Sequence, residues 1–150
     1  AFTNGVQACY IEVDVETGLI AFKKYCVVED CGRVINPQLV DEQIRGGVVQ
    51  GIGGALFEEC RYNDRGELLN GTMSNYLLPT MTDVPDIEVA HIETPTSESE
   101  LGAKGAGEAG TGAAAAAIMN AINDALSPLG GKVTQQPLTP ERILSAIGKI

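Results

Sequence analysis

Residues 36–56, NPQLVDEQIRGGVVQGIGGAL, decide how the chain reads. Asn36 followed by Pro37 marks a helix start. The Asn side chain caps a free N–H group, and proline fills the first helical position, where no N–H is needed. Val40, Ile44, Val48, Ile52 and Leu56 then recur every four residues and make one apolar face. Gly46, Gly47, Gly51, Gly53 and Gly54 lie in the same run. Each glycine costs a helix roughly 0.8–1 kcal/mol relative to alanine. A helix that carries five of them needs close backbone approach, to another element or to a ligand.

Upstream, residues 8–15 (ACYIEVDV) alternate Val13 and Val15 against Glu12 and Asp14, as a strand does. Glu16-Thr17-Gly18 is a turn, and residues 19–29 form a second extended run, so the pair reads as an antiparallel hairpin. Downstream, residues 63–67 (NDRGE) read as a turn between short strands. Residues 73–79 read as a strand ended by Pro79, and residues 86–92 as a further strand. Residues 94–107 are loop. A helix is expected over 109–126, with Ile118, Ile122 and Leu126 on one face, stopped by residues 127–131. Thr139-Pro140-Glu141 opens a short last helix with Ile143, Leu144 and Ile147 as its apolar positions. There is no repeat, no linker and no regular βαβ alternation. The expected class is α+β, a mixed or antiparallel sheet with packed helices, in one domain over residues 1–150.

Twenty acidic against ten basic residues give a formal charge of −10. Nucleic acid and anionic membranes both call for clustered Lys and Arg, so neither is an expected partner. No apolar run approaches the ~18 residues of a spanning helix. The start shows no basic stretch followed by an apolar one, so no secretory signal is expected. Cys9, Cys26, Cys31 and Cys60 form no C-x-x-C pair, which argues against zinc or an iron–sulfur cluster on this chain. They read as free thiols in a reducing, cytoplasmic setting.

A second glycine cluster, Gly102, Gly105, Gly107, Gly110 and Gly112, opens the expected helix at 109. Residues 105–110 match G-x-G-x-x-G, but the dinucleotide fingerprint needs a buried strand just before it. Here residues 96–100 are polar and acidic, so the nicotinamide reading is rejected. A glycine loop entering a helix N-terminus suits an anionic group, and Lys104 would add a cation at its mouth. Glu108 stands among Gly and Ala. It reads either as an acidic residue placed well against a helix dipole, or as a carboxylate held beside a reacting atom as general base.

Together these segments resemble the molybdenum hydroxylases, the family of xanthine dehydrogenase, aldehyde oxidoreductase and aerobic carbon monoxide dehydrogenase. Residues 11–18 (IEVDVETG) are similar to that family's hairpin motif. Residues 29–37 (EDCGRVINP) resemble its DCGRVINP stretch, residues 42–53 its Q-x-x-GG-x-x-QGIG helix, and residues 101–110 its GxKGxGEAG loop. Leu69 to Pro79, ending NYLLP, adds a weaker match. The resemblance covers the chain from end to end, and corresponds to the carboxyl-terminal part of the large, molybdenum-bearing subunit.

The resemblance implies roles residue by residue. Glu108 matches the family's general base, which takes the proton from a hydroxyl on molybdenum. Gln43 matches a glutamine that hydrogen-bonds the pterin, and Gln50, seven residues on, is a second candidate. Lys104, Gly105, Ala106 and Gly107 would line the cofactor. The metal is held by the pterin dithiolene, so no protein ligand to it is expected here. The cofactor would be molybdenum-molybdopterin, in cytosine dinucleotide form, with [2Fe-2S] and FAD on other segments or subunits. The expected partners are the remainder of the large subunit, iron–sulfur and flavin subunits, and a small-molecule substrate. The chain, starting at Ala1, would be a fragment and inactive alone. The alternative is a noncatalytic assembly subunit of the same fold. His91, Asp30 and Tyr76 are assigned structural roles, and Glu58 and Glu59 are expected in solvent.

Overall fold

The computed structural model describes residues 1–150. Strand β1 (Asn4–Val13) pairs antiparallel with β2 (Ile20–Asp30), and β2 pairs in parallel with β3 (Ile87–His91). The result is a mixed three-stranded sheet in the order β1-β2-β3. Helix α1 (Pro37–Leu56) lies in the connection between the two parallel strands. Helices α2 (Ala109–Gly112), α3 (Ala114–Leu126) and α4 (Pro140–Ala146) follow.

A doublet of lysines explains the register of the hairpin. Tyr10 pairs with Lys24 but Ile11 pairs with Phe22, so Lys23 is an extra residue on β2. Such a bulge reverses the side-chain phase. Lys23 and Lys24 can both face water, while Ile20 and Phe22 before them and Tyr25 and Val27 after them turn inward. On β1, Gln7, Cys9, Ile11 and Val13 share the inward phase.

Helix α1 starts where the sequence places it: the Asn36 side chain accepts from the Leu39 N–H. Ile44, Val48 and Ile52 are fully buried, with Val40 and Leu56 at the margin. Burying each of those three side chains is worth about 1.5–3 kcal/mol, which outweighs the helix's loss of about 1 kcal/mol per glycine. They meet Tyr25 and Val27 from β2 and Ile118, Ile122 and Leu126 from α3. Leu138 and Ile143 close the far end, and the Thr139 side chain caps α4.

Four expectations fail. Residues 73–79 form turns, because Thr72 and Asn75 bond each other's backbone and side chains and the Tyr76 N–H returns to Thr72; such local bonds compete with strand pairing. Around 63–67 the flanking strands shrink to one bridge, Tyr62 with Leu68. The helix expected over 109–126 is broken at Ala113. Glu58 and Glu59 are not free in solvent either: Glu58 accepts from the Tyr76 hydroxyl (2.9 Å) and Glu59 pairs with Arg142 (2.8 Å).

Candidate functional site

The two glycine clusters meet. Gly47 of α1 faces Gly110 of α2, and a Cβ on Gly47 would stand 2.9 Å from the Gly110 Cα. A Cβ on Gly110 would run into the Ile44 carbonyl oxygen, and one on Gly51 into the Ala114 Cβ. Part of the close approach that the glycine-rich helix implies is therefore to α2 and α3. The Thr111 hydroxyl bridges the same contact, donating to the Gly47 carbonyl (2.9 Å).

Glu108 sits at the entrance of α2. Its backbone (φ −105°, ψ 4°) makes it the N-cap, yet its side chain caps nothing and is exposed. The chain before and after it is held. The Gln43 amide donates to the Gly107 carbonyl (3.0 Å). The Gln7 amide donates to the carbonyls of Gly110 (2.8 Å) and Ala109 (3.3 Å). Behind Gln7, the fully buried Tyr25 donates its hydroxyl to the Gln7 amide oxygen (2.7 Å). Burial pushes the Tyr25 phenol far above its ordinary pKa, so it stays a donor.

The other limb of the loop hangs on Asp30, at the end of β2. Its carboxylate accepts from the Gly32 N–H (2.9 Å), from the Thr94 N–H (3.1 Å) and from the Thr94 hydroxyl, and pairs with Lys104 (3.2 Å). The Thr94 bonds are the main cause that holds its pKa well below the usual carboxylate range. Gly32, in the left-handed region at φ 72°, turns the chain so that Arg33 N–H bonds the Gly102 carbonyl (3.1 Å) and Cys31 carbonyl receives the Lys104 N–H (2.7 Å). Asp30 is structural, as its place in the sequence implies. Lys104 corrects the expectation of a free cation at the loop mouth: its side chain is nine-tenths buried, and its ammonium meets Asp30 and Thr94. The anion site expected at a helix N-terminus is corrected too, since α2 is four residues long and too short for a macrodipole of consequence.

In front of the loop lies an open hollow of about 400 Å³, lined by Ile35, Leu39, Val40, Gln43, Ala106 and Gly107. Ile35 and Leu39 are exposed there. Gly107 and Gly46 have nothing within 4 Å of an added Cβ, and neither has a positive φ. Nothing inside the chain requires glycine at either position, so they fit a group that approaches from outside. Gln43 borders the hollow with its amide oxygen unengaged by the chain. Gln50 does not border it; its amide meets the Thr111 hydroxyl (3.0 Å). His91 pairs with Asp41 (2.6 Å), which is a structural role. The residue missed in the sequence is Gln7. Its signal is a polar side chain on the inward phase of β1, one residue before the expected start of that strand.

A model of the molybdopterin cofactor-binding domain matches residues 1–85. The chain belongs to the molybdenum hydroxylase family. The nicotine 6-hydroxylase large subunit of Paenarthrobacter nicotinovorans is 48% identical over 97% of the chain, and the chain spans 18% of that protein. The carbon monoxide dehydrogenase large chain of Afipia carboxidovorans is 32% identical over 89% of the chain, which spans 16% of it. The crystal structure of quinoline 2-oxidoreductase from Pseudomonas putida 86 superposes with a TM-score of 0.93 at 45% identity, covering 97% of this chain and 18% of that one. The family's α+β cofactor-binding fold is thus the fold seen here. The chain accounts for under a fifth of the curated relatives it matches. The family model ends before Glu108, so the glycine loop rests on the whole-chain relatives and on its own geometry.

Proposed function

We propose that this chain is the part of a molybdenum-dependent hydroxylase large subunit that presents Glu108 as general base and one wall of the pterin site. The observation that carries this is the state of Glu108: its carboxylate is spent on no cap or ion pair, while Gln43 ties down the peptide before it and Gln7 the carbonyls of the two residues after it. A base must be held in place and free to take a proton, and this residue is both. When bound, the molybdenum cofactor supplies the oxygen-transfer and two-electron chemistry. Glu108 takes the proton from the oxygen that attacks the substrate carbon.

The donor set fits a pterin. Gln43 offers an amide oxygen, and with it a hydrogen-bonding edge for a heterocycle. Gly105, Ala106 and Gly107 let the cofactor approach the backbone, which bulkier side chains at 105 and 107 would block. Gln50 and Lys104 serve the same site by holding α1, α2 and the loop in place. The cytosine dinucleotide form, the [2Fe-2S] and FAD centres on other segments, and iron–sulfur and flavin subunit partners complete the reading. Relatives named as a dehydrogenase complex subunit and as a large chain support the presence of partner subunits. The nicotine and quinoline enzymes, at 48% and 45% identity, favour an aromatic N-heterocycle oxidised at a carbon beside the ring nitrogen over carbon monoxide, at 32%.

The test is Glu108→Gln in the complete enzyme. Loss of one general base lowers turnover by about 10²–10⁴-fold, and molybdenum content should be unchanged. Turnover near wild type sinks the assignment. A noncatalytic assembly role predicts no effect on the turnover of the complex that contains the chain.

A further inference from the structure

We propose that Gln7, oriented by Tyr25, is a positioning residue that sets the Glu108 carboxylate from behind. The inference rests on the reading of Glu108 as general base and adds the device that aims it.

In an unbroken helix the Ala109 and Gly110 carbonyls would accept from the N–H groups of residues 113 and 114. Here the helix breaks at Ala113, whose N–H turns to the Thr111 carbonyl. The two carbonyls next along the chain from Glu108 instead accept from one side chain, Gln7, that reaches across from β1. Ala109 and Gly110 are buried, so water offers no easy replacement for that donor.

An amide can face either way, and only its nitrogen end can donate to carbonyls. Tyr25 makes the choice. Its hydroxyl donates to the Gln7 oxygen, which leaves the Gln7 nitrogen toward α2. Tyr25 is itself fully buried in the sheet–helix core, so its position is fixed by packing. The relay runs from the core, through Gln7, to the carbonyls of the two residues that follow Glu108. Gln43 holds the peptide that precedes Glu108, from the opposite element. Two glutamines on different elements thus hold the chain before and after one carboxylate.

The experiment compares Gln7→Leu, Tyr25→Phe and the double variant in the complete enzyme. Steady-state kinetics, molybdenum content and hydrogen–deuterium exchange of residues 105–113 are read for each. Misplacing a reacting group by about 1 Å can cost about 10²-fold, so kcat of Gln7→Leu should fall by up to that factor with KM and molybdenum content little changed. Exchange should rise in 105–113. Tyr25→Phe should fall about 10-fold, and adding it to Gln7→Leu should cost little more, because the relay is already cut. A kcat of Gln7→Leu near wild type at full molybdenum loading overturns the proposal, as does additive loss in the double variant. If Gln7→Leu does not assemble, Tyr25→Phe decides alone: a lowered kcat with raised exchange in 105–113 supports the relay, and wild-type values overturn it. Glu108→Gln separates the two ideas. If it is inactive and Gln7→Leu is not, only the relay fails; if Glu108→Gln is fully active, the base assignment fails and the relay with it.

Discussion

The contact between α1 and α2 differs sharply from residues 60–86. In the first, Gly47 against Gly110 and Gly51 against Ala114 leave no room for one more carbon, and each carbonyl near Glu108 has a named donor. In the second there is no strand or helix before Ile87, and Met73, Leu77 and Met81 are 81%, 63% and 90% exposed. One region carries its order within the chain. The other displays large apolar side chains that find no partner among these 150 residues, in a chain that spans under a fifth of its relatives. Where the two glycine clusters meet, the packing is complete within the chain; where the chain is apolar and irregular, large side chains stay uncovered.

The comparison can be broken at several points. The largest expected effect is the loss of turnover in Glu108→Gln described above. Next is Gly110→Val: its side chain meets the Ile44 carbonyl and the Val48 N–H, so overpacking should destabilise the chain by about 3 kcal/mol, read as a lower urea midpoint. Gly107→Ala should do the opposite of what its place in the same loop implies. It has open space and an ordinary φ, so stability should be unchanged or improve by about 0.5 kcal/mol, while molybdenum occupancy of the complete enzyme falls. Equal destabilisation by both substitutions would erase the distinction between packing and cofactor-facing glycines.

Asp30 supplies a pH test. Its folded pKa lies below the ordinary carboxylate value, so the folded state favours the ionised form. The stability it contributes is present above the unfolded value of about 3.9 and is lost as pH falls below it toward the lower folded value. Unfolding midpoints of wild type and Asp30→Asn should therefore differ most at pH 7, and the gap should narrow steadily as the pH falls below about 3.9. A constant gap would mean that the loop is not held by this charge. The smallest effect is expected in the irregular region. Met81→Ser should leave the chain's own unfolding midpoint within about 0.5 kcal/mol, because the side chain is already in water. Recovery of the assembled enzyme should fall. A large loss of intrinsic stability would show that this segment is better packed than its exposure implies.

Much of the scaffold could be read along the chain because its signals are local. The Asn36-Pro37 start, the hairpin around Gly18, the apolar face of Ile44, Val48 and Ile52, and the Thr139-Pro140 cap each involve residues a few positions apart. The apolar look of 73–79 misled for the same reason. Its apolar residues imitate a strand, but they face outward, and Thr72 and Asn75 give the backbone a local alternative. Lys104 misled because charge alone does not say which carboxylate lies ten or seventy residues away.

By itself the sequence determined the hairpin, α1, α4, the family motifs and the candidacy of Glu108, since periodicity, caps and glycine spacing act over one or two turns. Only the tertiary structure decided that the two glycine clusters touch, that Lys104 turns inward to Asp30, and that Gln7 reaches more than a hundred positions along the chain to the carbonyls of Ala109 and Gly110, just past Glu108. Those contacts depend on packing α1 and α2 against the sheet, and no short-range pattern encodes which distant carbonyl an amide will meet.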